Sequence, residues 1–170
     1  MIKEMVDAHI THLVIEVSSH ALEQHRVEAL NFDVAVFTNL SAEHLDYHGS
    51  MENYARSKEL LFSYYLQQSG KKKTFALINY DDEFGKALCK VSRAQLLRYG
   101  IREGIEISVQ DMTLSQSGIS LLVMTPAGDV EIHSSLIGSF NSANILAALG
   151  VALTQNIPLA TIQQGIANLQ

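Results

Sequence analysis

The sequence has few residues that cross-link or interrupt a chain. Its 170 residues include one cysteine and two prolines, and tryptophan does not occur. A lone cysteine, Cys89, cannot form an internal disulfide, so we expect a reducing compartment and an inert thiol on a helix. Pro126 and Pro158 lie where the hydrophobic periodicity changes, which favours one compact body without a flexible linker.

Long apolar runs and excess positive charge are also missing. No run approaches the roughly 18 apolar residues that a membrane span needs, and the first residues lack an apolar signal segment. Lysine and arginine number 12 against 18 acidic residues, and the formal net charge of -6 does not favour a nucleic-acid partner. We therefore expect a cytoplasmic protein that binds neither a membrane nor a nucleic acid.

Hydrophobic residues make up 47% of the chain, which is enough for one sizeable core. Three short runs rich in β-branched residues are typical of buried parallel strands: His12 to Val17, Asp33 to Leu40 and Thr74 to Asn79. Helical patterns cover residues 51–68, capped by Ser50, and residues 82–92. This alternation predicts an α/β fold with a doubly wound, mostly parallel sheet.

The pattern changes after residue 105. Shorter alternating runs, with turn signals at Ser117-Gly118 and Ala127-Gly128, predict a small antiparallel addition at the sheet edge. Phe140 to Thr154 and Leu159 to Leu169 predict two closing helices, the second opened by Pro158. We expect the whole chain to form one domain.

An acid interrupts the first predicted strand. Glu16 lies near its carboxyl end, at the edge of a parallel sheet where ligands bind. Burying a carboxylate is costly unless it is paired or holds a metal, and nucleotide-hydrolysing folds place such an acid beside magnesium. The alternative is a local role, in which Glu16 caps or bridges the turn at residues 18–20.

A polar run that contains His44 and His48 follows the second predicted strand. Their spacing is that of metal-binding histidine pairs, so a metallohydrolase is one hypothesis and a structural or solvent-facing pair is the other. Gly49 disfavours a continuous helix there. Lys58 lies on the next helix near its apolar face, where a lysine ordinarily extends to water. A catalytic role for Lys58 requires a lowered pKa or a covalent modification.

Other candidates have side chains suited to recognising a ligand. Ser18, Gln24 and Arg26 follow the first predicted strand, and a guanidinium group suits bidentate binding of phosphate or carboxylate. The alternative for Arg26 is an ordinary surface charge. Asn141 precedes a helix of small residues, where its amide can bind an adenine edge or cap the helix.

Taken in order, three segments resemble the central ATP-binding domain of the Mur ligase family. They are VIEVSSHALEQHRV, FDVAVFTNLSAEHLDYHGSMENYARSK and GSFNSANILAA. The first two are similar to the MurE type, which adds the third stem-peptide amino acid to UDP-N-acetylmuramoyl-L-alanyl-D-glutamate. The resemblance runs nearly end to end, and it implies a P-loop NTPase-like fold and a ligase of peptidoglycan synthesis.

The resemblance also implies a metal site and a reaction. Glu16 would hold one Mg²⁺ against the β- and γ-phosphates of ATP, and His44 would hold a second. A carbamylated Lys58 would help to position that second ion. The D-glutamyl side-chain carboxylate would become an acyl phosphate, which the amine of an amino acid would then attack.

Substrate contacts are implied for four further residues. The UDP-muramoyl dipeptide would be bound by Ser18, Gln24 and Arg26. Asn141 would contact adenine, and Asn144 would support the start of the helix. His48 matches the family motif, but no specific role follows for it.

Two departures accompany the resemblance. Glu43 stands where the family pattern has aspartate, and the Gly-x-x-Gly-Lys-Ser/Thr loop that cradles phosphates does not occur in the sequence. We expect residues 1–170 to be a central domain that lacks its first strand and phosphate loop, with the UDP-binding and carboxy-terminal domains absent, and to be inactive alone.

Several alternatives stay open at this point. Another Mur-type ligase, such as folylpolyglutamate synthase, is one, and a non-catalytic nucleotide-binding module is another. Neither the choice between diaminopimelate and lysine as the added amino acid nor the oligomeric state follows from the sequence.

Overall fold

The computed structural model describes residues 2–41 and 48–169. A six-stranded sheet runs in chain order through β1 to β6: Val34–Phe37, Phe75–Asn79, Gln95–Gly100, Ile107–Ser115, Gly118–Met124 and Val130–Ser134. The first four strands are parallel, and β5 is antiparallel to both β4 and β6. The predicted mostly parallel sheet is confirmed, and the predicted hairpins extend the same sheet.

Helices surround this sheet. In the described part of the chain they are α1 (Ile2–Asp7), α2 (Ser19–Glu23), α3 (Met51–Leu60), α4 (Glu83–Val91), α5 (Phe140–Thr154) and α6 (Leu159–Ala167). A π-helical turn, Leu61–Tyr65, continues α3. The bounds predicted for α5 are confirmed. No helix among the described residues combines the length and hydropathy of a membrane span.

Polar caps fix where two of the helices begin. The hydroxyl of Ser50 accepts the amide of Asn53 at 3.2 Å, as predicted for α3. Asp82 Oδ1 accepts the amide of Phe84 at 2.8 Å, which starts α4. Asp82 Oδ2 accepts the amide of Leu40 at 3.1 Å, so the same carboxylate joins α4 to the loop after β1. Each cap satisfies an amide that the helix leaves unpaired.

Alternate residues of β2 face opposite layers. Leu77 packs in the core that includes α5 and α6, whereas Ala76 and Ile78 pack against the π-helical turn and α4. All three are fully buried. A parallel strand covered on both faces has this pattern, so helices pack on both sides of the sheet and the doubly wound prediction is confirmed.

The first predicted strand is wrong. Residues 10–18 have no regular secondary structure, and Val14 is 91% exposed. A parallel strand needs a neighbour to pair its amides and a layer on each face. Among the described residues β1 pairs with β2 alone, and no segment pairs with its outer edge. The apolar run stays outside the sheet although this edge is open, so its hydrophobic pattern alone does not give it a place in the sheet.

The sequence did not indicate β3. This strand carries two leucines and the fully buried Tyr99, but Arg98 interrupts its apolar pattern. The Arg98 guanidinium binds Glu106 at 2.7 and 2.8 Å, so its charge is paired. A tertiary ion pair thus allows a charged residue in a strand that the hydrophobic pattern alone does not predict.

Candidate functional site

The carboxyl ends of the first three strands form a connected polar edge. Asn79 of β2 donates its side-chain amide to the carbonyl of Thr38 at 2.7 Å. Tyr99 of β3 donates its hydroxyl to the carbonyl of Phe37 at 2.9 Å. These bonds join the loops at the end of the sheet where open α/β folds bind ligands.

Asp81 lies at the same edge. Its Oδ2 accepts the amide of Ile101 at 2.8 Å, and its buried Oδ1 has Arg102 Nε 3.6 Å away but makes no hydrogen bond with the described residues. A Cβ on Gly100 would lie 2.6 Å from Oδ2 of Asp81, so the glycine allows the carboxylate to approach. Burial, together with Asp81, raises the pKa of Tyr99, which keeps that hydroxyl a donor.

A buried polar cluster joins α2 to α3. The side chain of His48 is 1% exposed, and its Nε2 lies 2.8 Å from Oγ of Ser19. On the other side, Nδ1 lies 3.5 Å from Oγ of Ser57 and 3.7 Å from Oε1 of Glu23. The ring also packs on Tyr54, with centroids 5.2 Å apart. We call these five residues the His48 cluster.

Lys58 lies beside the His48 cluster. Its side chain is half-buried, and Nζ is 5.1 Å from the centroid of the Tyr54 ring. An aromatic face attracts an ammonium group. The amine is therefore held against an aromatic ring and is not fully extended into water, the position usual for a surface lysine.

The three residues predicted to bind substrate are grouped around the short helix α2. Ser18 caps the helix by accepting the amide of Ala21 at 3.2 Å, and Gln24 is the residue at its other end. Arg26 follows, and all three predicted residues are exposed. Tyr65 donates its hydroxyl to a carbonyl of the same helix at 2.7 Å. The structure thus brings these candidates to one anchored, accessible turn.

Two of the predicted metal ligands can be located. Glu16 is exposed in the irregular segment before α2, so it is not at the end of a strand. Its alternative role, to cap or bridge the turn at residues 18–20, is not seen either: Ser18 supplies the cap of α2, and Glu16 makes no hydrogen bond with the described residues. No hydrogen bond or ion pair joins Glu16 to Lys58 in the described part of the chain. His44 lies outside the described residues.

Of the predicted histidine pair, the structure describes His48 and not His44. Both ring nitrogens of His48 face polar side chains of the His48 cluster. Within residues 2–41 and 48–169, no three side chains of His, Cys, Asp or Glu are grouped so as to hold a metal ion. His48 therefore fits the structural alternative.

Asn141 uses its amide within the protein. Its Nδ2 donates to the carbonyl of Ile137 at 2.8 Å, and its Oδ1 accepts Nδ2 of Asn144 at 3.1 Å. These contacts lie in the loop and first turn of α5, but neither accepts a helix amide, so the capping alternative for Asn141 is not seen. Contact between Asn141 and adenine stays a prediction.

A separate ion pair lies between β3 and the loop before β4. Arg98 donates from its side chain and its backbone amide to Glu106, and its guanidinium packs over the Tyr80 ring. Burial raises the pKa of Glu106, but the hydrogen bonds from Arg98 outweigh it, and the net pKa lies below the ordinary value. Burial also raises the pKa of Cys89, as expected for an unreactive thiol.

Comparison with known proteins supports the architecture. The model of the Mur ligase middle domain matches residues 1–152. The chain is 39% identical over 168 residues to a UDP-N-acetylmuramoyl-L-alanyl-D-glutamate–2,6-diaminopimelate ligase of Geobacillus thermodenitrificans, covering 98% of this chain and 34% of that protein. It is 38% identical over 169 residues to a UDP-N-acetylmuramoyl-L-alanyl-D-glutamate–L-lysine ligase of Staphylococcus aureus, covering 99% and 34%.

A solved structure shows the same arrangement. That structure, of a UDP-N-acetylmuramoyl-L-alanyl-D-glutamate–2,6-diaminopimelate ligase, superposes with a TM-score of 0.81 at 30% identity. The superposition covers 91% of this chain and 32% of the other. The chain thus spans about a third of the length of the relatives it matches.

Proposed function

Since this chain belongs to the Mur ligase family through its middle domain, we propose that it is the ATP-binding domain of a ligase of peptidoglycan precursor synthesis. The ligase would add the third stem-peptide amino acid to UDP-N-acetylmuramoyl-L-alanyl-D-glutamate in the cytoplasm. The main support for the proposal is sequence similarity: along nearly its whole length, the chain is 39% and 38% identical to two ligases that act on that substrate. It favours this substrate over that of folylpolyglutamate synthase.

The proposed reaction has two steps. A carboxylate is a poor electrophile because its oxygen is a poor leaving group, so the γ-phosphoryl group of ATP is first transferred to the D-glutamyl side chain. This transfer gives an acyl phosphate and ADP. The amine of the incoming amino acid then attacks the acyl carbon, releases phosphate and loses a proton. Catalysis depends mainly on alignment and on neutralising negative charge.

The α2 turn would bind the muramoyl dipeptide. Arg26 offers an exposed guanidinium to a phosphate or carboxylate, and Ser18 and Gln24 offer hydrogen-bonding groups on the same turn. Their shared position on an anchored helix supports this assignment. Asn141 would bind adenine through its amide, exchanging its present contact with Asn144 for one with the base.

The chemistry of the metal donors fits magnesium in part. Glu16 and a carbamate on Lys58 would supply oxygen ligands, which Mg²⁺ prefers, whereas His44 would supply a nitrogen. When bound, the ion would neutralise charge on the terminal phosphates. In carbamylation the Lys58 ammonium loses one proton, and the neutral amine then adds carbon dioxide and loses a second proton, so a cation would become an anion.

The identity of the added amino acid is left open by this domain. Ligases for diaminopimelate and for lysine match it almost equally well, at 39% and 38% identity. We infer that the part of the ligase outside this domain makes the choice. The sequence similarity supports this inference because it does not separate the two classes.

The test is an assay of the ligase that carries this domain. The UDP-muramoyl dipeptide, Mg²⁺ and ATP are supplied with diaminopimelate or lysine in separate reactions, and the peptide product is measured by mass spectrometry. We expect product with one of the two amino acids, and ADP release that requires the dipeptide. ADP release without the dipeptide, or a product from folate and glutamate, would refute the proposal.

A further inference from the structure

Three members of the His48 cluster each lie next in sequence to a residue of the proposed site. The pairs are Ser19 with Ser18, Glu23 with Gln24, and Ser57 with Lys58. The imidazole of His48 lies 2.8, 3.7 and 3.5 Å from the first member of these pairs, respectively. The buried ring of His48 therefore lies between the α2 turn and α3, the helix that carries Lys58.

We propose that His48 is a positioning residue that fixes the α2 turn relative to Lys58, so that the bound dipeptide and the transferred phosphoryl group are aligned. This inference rests on the proposed function. We expect His48 to make no direct contact with the reacting groups. It acts through Ser19 on one side and through Ser57 and Tyr54 on the other.

The geometry of the imidazole suits this role. Its two nitrogens lie on different edges of a rigid ring, so one side chain can meet Ser19 of α2 and Ser57 of α3 at the same time. The side chain is 1% exposed, so little water can compete for these contacts. The side-chain amide of Asn53 donates to the His48 carbonyl at 3.0 Å and so fixes the backbone from which the ring extends.

A second connection runs through aromatic packing. The ring of His48 is 5.2 Å from that of Tyr54, and the Tyr54 ring is 5.1 Å from Nζ of Lys58. Tyr54 is itself buried, so a shift of the imidazole displaces the surface on which the lysine rests. The hydrogen bonds and the aromatic contacts therefore constrain the same two elements.

The decisive variant is His48→Gln in the ligase. Glutamine can place an amide near one ring-nitrogen position but cannot span both. A misplacement of about 1 Å costs up to about 100-fold in rate, so we expect kcat/KM for the UDP-muramoyl dipeptide to fall about 10- to 100-fold. KM for ATP should change little, because His48 is not placed against the nucleotide. Circular dichroism is used to check that the His48→Gln variant is folded at the assay temperature.

A matched structural control is Thr125→Val. Its hydroxyl donates to the carbonyl of Gly128 at 2.6 Å in the turn between β5 and β6, outside the proposed site. This variant also loses a partly buried hydrogen bond, so it should lower the unfolding temperature while leaving kcat/KM unchanged. If His48→Gln likewise loses only stability, His48 is merely structural and the inference fails.

Ser19→Ala provides a milder variant if His48→Gln does not fold. It removes the hydroxyl that faces Nε2 and leaves the ring in place. In a double-mutant cycle, Ser19→Ala and His48→Gln together should lose no more kcat/KM than the worse single variant, because both break one connection. Losses that multiply would overturn the inference. An inactive wild-type ligase would instead contradict the proposed function.

Discussion

Lys58 is the described side chain on which the proposed chemistry most directly depends. The variant Lys58→Ala removes the amine that would carry the carbamate. We expect kcat for ligation to fall by about 100- to 1,000-fold, in line with the loss of one electrostatic stabiliser at a reacting centre. Phosphate release under saturating substrates measures this change.

Two controls separate this loss from a general effect of removing a lysine. Lys72→Ala removes an exposed lysine outside the proposed site and should leave kcat unchanged. Acetate added to Lys58→Ala supplies a carboxylate from solution and should restore part of the rate. Equal activity of Lys58→Ala and wild type would show that no modified lysine takes part.

Two helical glycines make a matched pair at the residue scale. A Cβ at Gly85 would lie against the backbone carbonyl oxygen of Asn79 and 3.2 Å from the Phe37 ring, whereas one at Gly165 meets no atom within 4 Å. We expect Gly85→Ala to lower the free energy of unfolding by about 1–3 kcal/mol. Gly165→Ala should raise it by about 0.5–1 kcal/mol, because alanine favours the helix. Urea unfolding measures both, and equal effects would contradict the packing around Gly85.

At the scale of elements, two apolar runs with similar sequence patterns have different environments. Val14 in the first run is 91% exposed, whereas Leu77 in β2 is fully buried. Leu77→Ala should therefore lower the free energy of unfolding by about 2–5 kcal/mol. Val14→Ala should change it by less than about 0.5 kcal/mol. A loss above about 1 kcal/mol for Val14→Ala would mean that the first run is packed in solution.

The ion pair beside β3 predicts a dependence on pH. The pKa of Glu106 in the folded protein lies below the unfolded value, since the hydrogen bonds from Arg98 outweigh burial. The pair therefore stabilises the fold above the unfolded pKa of about 4.3, and this stability is lost as pH falls through the folded pKa. Because both side chains are about one-third exposed, we expect a contribution of about 1 kcal/mol or less.

Glu106→Gln measures this contribution. The variant should be less stable than wild type at pH 7, and the difference should shrink as the pH approaches 3. Thermal unfolding across this range gives the two curves. Parallel curves would show that Glu106 does not titrate differently in the folded and unfolded chains. Glu131→Gln is a suitable control, since its carboxylate is about two-thirds exposed.

At the scale of the whole molecule, we propose that tight nucleotide binding requires a phosphate-binding loop. No Gly-x-x-Gly-Lys-Ser/Thr loop occurs in residues 1–170, and such a loop supplies the amides and the lysine that cradle phosphates. We expect the 170-residue chain to bind ATP with Mg²⁺ weakly and to form no ligation product. Isothermal titration calorimetry and a product assay measure the two properties. Micromolar ATP affinity would indicate a nucleotide-binding module that does not need the loop.

Much of the fold follows from local patterns. The bounds of α5, the cap at Ser50 and the hairpins after residue 105 were all predictable, because helix periodicity, capping and turn residues act over a few positions. The first run was wrongly predicted as a strand because its pattern indicates a tendency to pair, but not whether the run reaches the open edge of β1. β3 was missed because Arg98 is tolerated only through its contact with Glu106.

In the candidate site, too, some features could be predicted from local sequence and others could not. Ser18, Gln24 and Arg26 are close in sequence, so their grouping on one turn could be anticipated from a short helix. The proposed role of His48 could not be anticipated from the sequence, since its ring contacts Ser19 in α2, 29 residues away in the chain. Sequence spacing suggested a metal pair for His48, and only the packing of α2 on α3 showed what its nitrogens face.

By itself the sequence determined the family, the alternation of strands and helices, and the chemical types available at the strand ends. These features could be predicted because they depend on short segments, whose periodicity and motifs are visible in the sequence. Only the tertiary structure decided which apolar run entered the sheet, which charge was paired, and that the His48 imidazole lies between α2 and α3. Burial and long-range contacts depend on where distant segments meet, and no local pattern contains that information.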